Sequence, residues 1–290
     1  MKYWRIIKKS FHEWNADKAA QLAASTAYYT VFSLAPLLIL TIAVAGIFLD
    51  AESVKDSVFL QLNNLVGAQG SAAIEAMVNS SRASPHTLSA AIIGTLVLLL
   101  GASGLMIALQ DAMNTIWNVA PKHTIHILRI LAVKRLLSVS MILTIGFLLL
   151  VSLVTSAAIG FVVEILSEQA PALLTILPLV DAGLSLIVIT VLFAILFKYL
   201  PDIRIRWRDV FPGAFLTAVL FTLGKFLLGF YLGRQDFTAT YGIAGSLIVL
   251  LLWINYSAQI LFFGVEFIKV SAQVHGINVK PKEYAHTLKP

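Results

Sequence analysis

The chain contains no cysteine among its 290 residues. That excludes a disulfide scaffold, iron–sulfur clusters and thiolate-ligated zinc. Charge is almost as scarce. Asp, Glu, Lys and Arg together make up 12% of the residues, where a soluble globular domain carries about 25%. Too little charge is present to coat a water-exposed surface. What fills the chain is apolar, with 59% hydrophobic residues.

The gaps between charged residues show how that apolar material is organised. Residues 19–49, 83–110, 136–163 and 237–265 are runs of 31, 28, 28 and 29 residues without a charge. Residues 182–197 form a shorter run of 16, and residues 210–233 would be uncharged throughout but for Lys225. A bilayer core of about 30 Å needs about 20 helical residues. Six membrane spans are therefore expected, at about 24–49, 88–110, 136–163, 179–198, 211–233 and 242–266. Helices are expected rather than barrel strands, because these runs are continuous and do not alternate in polarity.

Basic residues set the expected orientation. The segments before span 1 and after spans 2, 4 and 6 hold 17 of the 21 Lys and Arg residues. The intervening segments hold three. Both termini are therefore expected in the cytoplasm, with acidic residues such as Asp50, Glu52, Asp56 and Glu75 outside. The first apolar run starts only at Ala19 and is twice as long as a signal-peptide core, so no cleavage is expected.

Residues 1–18 read as an amphipathic interfacial helix. Trp4, Ile7, Phe11 and Trp14 recur at steps of three and four, opposite a basic face of Lys2, Arg5, Lys8 and Lys9. Residues 19–270 form the membrane domain, and its outer loop is expected to hold a short helix. Residues 271–290 are polar and proline-bearing, and a loose tail is expected there.

Polar residues inside apolar runs need an explanation. Lys225 lies eight residues before Gly233, about 12 Å along a helix. A charge at that depth costs at least about 2.5 kcal/mol. It would line a polar pathway, or else snorkel to headgroups. Asn255 and Gln259 share a helix face in span 6, Glu266 extends it, and antiparallel packing would bring Lys225 near Asn255. In span 1, Gln21, Ser25, Tyr28 and Tyr29 form a polar stripe, either a hydrophilic lining or part of the interface. Asp111 falls where span 2 ends. Substrate-pathway candidates are Lys225, Asn255, Gln259, Glu266, Tyr28, Ser25 and Asp111. Arg204, Arg206 and Arg208 are candidates for anionic lipid headgroups. Their basic loop needs no nucleic acid to explain it.

The absences continue among catalytic motifs. No P-loop, G-x-S-x-G elbow or H-E-x-x-H motif occurs. His123 and His126 have metal-like spacing but lack a third ligand nearby. No catalytic residue, metal or cofactor is expected, and the chain is not expected to be an enzyme.

Three stretches carry a likeness to known proteins. They are residues 23–37 (AASTAYYTVFSLAPL), residues 112–118 (AMNTIWN) and residues 241–266, where Tyr-Gly-Ile-Ala-Gly-Ser leads through Leu-Trp-Ile-Asn-Tyr to Gly-Val-Glu. With Tyr199-Leu200-Pro201-Asp202 and Lys225 between them, the chain resembles the YihY/BrkB family of bacterial inner-membrane proteins over about residues 5–270. It departs from the family's pattern at Asn255 and Val265. The resemblance implies a six-span protein of the cytoplasmic membrane with both ends inside. The family's old label, ribonuclease BN, does not suit a sequence whose six His are scattered. Its association with envelope integrity implies transport of a lipid or other amphiphile.

The expectation is thus an all-α membrane protein, a six-helix bundle in the inner membrane. It would move an anionic amphiphile past Lys225, with membrane lipids as partners. The alternative is a non-transporting scaffold or envelope-assembly partner, and a homo-oligomer suits either reading.

Overall fold

The computed structural model describes residues 2–46, 50–81, 104–122, 177–234 and 244–288. Seven helical segments account for most of them. They are α1 (Lys2–Ala16), α2 (Ala19–Ala45), α3 (Ala51–Ser81), α4 (104–116), α5 (Leu177–Tyr199), α6 (Trp207–Arg234) and α7 (Ala244–Val274). Four are long and apolar enough to cross a membrane, at Ala19–Ala43, Ala182–Tyr199, Trp207–Leu228 and Leu247–Val274. The expected third span, 136–163, and most of the second, 88–110, lie outside the described residues.

α7 is the central post, packing against α1, α2, α3 and α6, while α5 packs on α6. The main core gathers small residues of α2 (Ala19, Ala23), Met113 and Ile116 of α4, and Phe262 and Val265 of α7. Alanines at steps of four let helices approach closely. Hydroxyls within the apolar helices satisfy themselves. Thr30, Thr190, Thr217 and Ser257 each donate to the carbonyl four residues back.

α1 turns one face to α7. Ile6 and Ser10 are buried, whereas Trp4 and Phe11 are exposed. The chain then breaks at Lys18, whose φ of 52° is left-handed. α3 is much longer than the short helix expected, and it doubles back. Ser71 Oγ lies 3.4 Å from the carbonyl oxygen of Phe59, twelve residues away; a straight helix would separate them by about 18 Å. Ile74 and Val78 pack with Ala35 and Leu38 of α2 and Leu250 and Trp253 of α7. That second core holds the hairpin against the bundle. Asp50 caps α3, accepting from Ser53 N and Ser53 Oγ at 2.9 Å, and these bonds hold its carboxyl below the usual range.

At the other end of the bundle the tail is ordered, not loose. Strand β1 (Val119–Pro121) pairs antiparallel with β4 (Ala285–Thr287), and β2 (Ile203–Arg204) pairs with β3 (Lys280–Pro281). Leu288 N donates to Asn118 O at 2.7 Å and Lys122 N to Tyr284 O at 2.9 Å. The polar tail thus finds backbone partners 76 or more positions away, which local composition does not reveal. Gly276, with φ 66°, closes α7, and Ile277 N bonds back to Ala272 O at 2.9 Å.

Candidate functional site

A glycine seam fixes the register of α6 against α7. A Cβ on Gly213 would press into Ile268, one on Gly264 into Thr217, and one on Gly224 into the ring of Tyr256. Position rises on one helix as it falls on the other, so the two run antiparallel. This register sets Lys225, beside Gly224, level with Asn255 and Tyr256. Lys225, Asn255 and Gln259 are all half-buried. Gln259 Nε2 donates to Asn255 Oδ1 at 2.6 Å, so the two amides satisfy each other along one face. Lys225 forms no hydrogen bond or ion pair with a described residue. The sequence reading set Lys225 near Asn255 and put Asn255 and Gln259, one turn apart, on a shared face; direct contact of Lys225 with Asn255 is not seen.

The other candidates are spread out. Ser25 is exposed and Tyr28 is 60% exposed, on the outer surface of α2. The buried polar side chains of that helix are instead Thr26, Thr30 and Ser33. Asp111 is exposed, and its neighbours Gln110 and Asn114 point inward. Arg204, Arg206 and Arg208 are exposed. Arg204 pairs with Glu283 at 2.5 Å and Arg206 with Asp209 at 3.0 Å. Arg204, Arg206 and His275 help line a pocket of about 480 Å³ at the end that carries the tail; Arg208 does not line it. The His123–His126 pair lies outside the described residues. Among those described, no three His, Asp or Glu side chains could hold a metal ion.

Two buried polar clusters sit at the same end. Asp202, fully buried, is the hub of the first. Its carboxylate accepts from Gln110 Nε2 at 3.0 Å, Asn114 Nδ2 at 2.8 Å and Tyr284 OH at 3.0 Å. Its backbone N donates to Asn114 Oδ1 at 2.8 Å, and its carbonyl accepts from Lys282 N at 2.9 Å. Burial lowers the pKa of Lys282, with Asp202 opposing and Lys198 reinforcing that shift. Burial, then the nearby Asp202 charge, raises that of Tyr284. This hub binds α4, the α5–α6 loop and the tail together. Sequence reasoning missed it as a site; Asp202 appeared only within a motif, and its partners lie 82–92 positions away.

The second cluster centres on Lys269, whose side chain is 9% exposed. Its Nζ lies 2.6 Å from Asp17 Oδ2, 3.5 Å from Glu266 Oε2 and 3.9 Å from Glu13 Oε2. Glu266 lies within α7 and not at its end. α7 runs eight residues further and buries the side chain completely.

Long apolar helices around a central post, with polar side chains collected at mid-helix and at one end, define an α-helical membrane protein. The comparisons agree. The family model described as Virulence factor BrkB matches residues 10–286. A UPF0761 membrane protein of Ralstonia nicotianae is 29% identical over 250 residues, covering 86% of this chain and 54% of the relative. UPF0761 membrane proteins of Paraburkholderia xenovorans and Stenotrophomonas maltophilia are 30% and 31% identical, covering 86% and 84% of this chain and 56% and 55% of their own lengths. The chain spans about half the length of the curated relatives it matches. No solved structure matches it. The chain belongs to the BrkB family of membrane proteins.

Proposed function

We propose that this protein is a six-span transporter or flippase-like protein of the bacterial inner membrane, with both termini in the cytoplasm. It moves an anionic amphiphile, a lipid or envelope molecule, and is not an enzyme. The observation that carries the reading is the α6–α7 register. It supports a cationic side chain at the level of Asn255 and Tyr256, well inside an apolar helix. A lysine there costs at least about 2.5 kcal/mol. An anionic headgroup passing between leaflets would offset that cost at each passage. The basic pocket with Arg204 and Arg206 would collect headgroups at the cytoplasmic surface.

The test is transbilayer movement of labelled anionic phospholipid in proteoliposomes holding the purified protein. Wild type should move the lipid, and Lys225→Ala should reduce the rate at least tenfold. No movement by folded wild-type protein would refute the lipid reading.

The scaffold reading is favoured by a different observation, the Asp202 hub, which spends its polar groups on joining segments. It expects Lys225→Met to leave function intact.

A further inference from the structure

The cluster around Lys269 contains more negative charge than it can hold. Three carboxylates, Glu13, Asp17 and Glu266, surround one ammonium. With all of them ionised, two negative charges would remain uncompensated. Lys269 is committed to Asp17 at 2.6 Å. Its distance of 3.5 Å to Glu266 exceeds the 2.7–2.9 Å or so of a charge-assisted hydrogen bond.

Glu266 is where the imbalance falls. It is fully buried, and neither carboxyl oxygen has a hydrogen-bond partner. A buried carboxylate without a donor is costly, and taking up a proton removes the charge. Among the described residues no neighbouring element supplies another cation; Arg5, Lys8 and His12 of α1 are exposed. α6 has no ionisable side chain between Asp209 and Lys225, and α2 has none between Lys18 and Tyr28. On α5, Lys198 donates to the carbonyl of Ile205. On α1, Lys9 donates to Gln273 Oε1 at 3.1 Å. Lys18 is exposed, and His275 bonds through Nδ1 to its own helix at Ser271 O, 2.8 Å away.

We propose that Glu266 is a proton-binding site, held between α7 and the α1–α2 turn, that carries an exchangeable proton at neutral pH. The proton joins one Glu266 oxygen and leaves to water, with no other bond made or broken. Loss of the proton would drive the Glu266 carboxylate against Asp17 and Glu13, so occupancy of the site is coupled to the seating of α1 on α7. As the coupling site for the proposed transport, Glu266 rests on that reading; as a proton site it is tested apart from transport.

The test is infrared spectroscopy of the full chain in liposomes at pH 7. Wild type should show a carboxylic-acid C=O band that shifts in heavy water and is lost in Glu266→Gln. Asp17→Asn, which leaves Glu266 in place, frees the ammonium of Lys269 for Glu266, so the band should shrink at the same pH. A band unchanged in both variants, or no such band in wild type, would overturn the proposal. So would a band removed at constant pH by sodium or potassium, since the occupant would then be a metal cation. If wild type moves lipid, Glu266→Gln should do so at a rate that no longer responds to a proton gradient.

Discussion

Asn114 holds Asp202 from two directions. Its Nδ2 donates to the carboxylate at 2.8 Å, and its Oδ1 accepts from the Asp202 backbone N at 2.8 Å. One amide thus fixes both the charge and the backbone of the α5–α6 loop, and Tyr284 adds the tail. Hydrogen bonds to a buried charge each contribute about 1.5–3 kcal/mol. Asn114→Ala should therefore cost about 3 kcal/mol and free residues 280–288 from the bundle. Thermal unfolding in detergent and protease cleavage near residue 283 are the readouts. A variant as stable and as protected as wild type would show the hub to be incidental.

The glycine seam makes a contrast between two substitutions. Gly224→Leu drives a side chain into Tyr256 and should destabilise α6–α7 packing by about 1–3 kcal/mol. A Cβ on Gly183 in α5 meets nothing within 4 Å. Gly183→Ala should be neutral or stabilising by up to about 1 kcal/mol, because alanine favours helix. Thermal midpoints in one detergent decide the matter; equal midpoints for the two variants would contradict the seam.

Tyr284 predicts an alkaline limit. Its folded pKa is raised above the ordinary 10.0, first by burial and then by the charge of Asp202. Holding the phenol neutral costs nothing below the unfolded value. Above it only the unfolded chain gains by ionising, so stability falls as pH rises past about 10. Lys282 works in the other sense. Its lowered pKa penalises the charged form in the fold, so its contribution improves as pH approaches the ordinary 10.5. Comparison with Tyr284→Phe cancels the lysine. Between about pH 9 and 11 the wild-type midpoint should fall more steeply than that of the variant. Parallel curves would remove Tyr284 from the account.

Single cysteines in this natively cysteine-free chain report sidedness. Asp56→Cys should react with an impermeant thiol reagent on intact cells, and Lys280→Cys only after permeabilisation. The reverse pattern would invert the orientation.

Much of the fold was legible because membrane spans are written as long uncharged runs. Helices α2, α5, α6 and α7 each begin within five residues of the expected spans. The level of Lys225 was legible too, since helical spacing and antiparallel packing suffice to align it with Asn255. Tertiary partnerships were not. The inward side of α2 is marked by Thr26, Thr30 and Ser33, residues no more polar than the Ser25 and Tyr28 that face out. The doubling of α3 and the pairing of the tail depend on contacts between distant positions. From the sequence Glu266 reads only as an extension of the Asn255–Gln259 face. Only the α1–α2 turn shows that Asp17 takes the lysine and leaves Glu266 buried without a donor.

The central claim is that Lys225 faces a polar route through the membrane. Lys225→Cys measures this directly, by reaction with a small water-soluble thiol reagent in proteoliposomes. The account predicts reaction at a rate within about tenfold of Asp56→Cys, slowed when anionic amphiphile is present. A cysteine at 225 that stays unreactive in folded protein, with and without amphiphile, would contradict it.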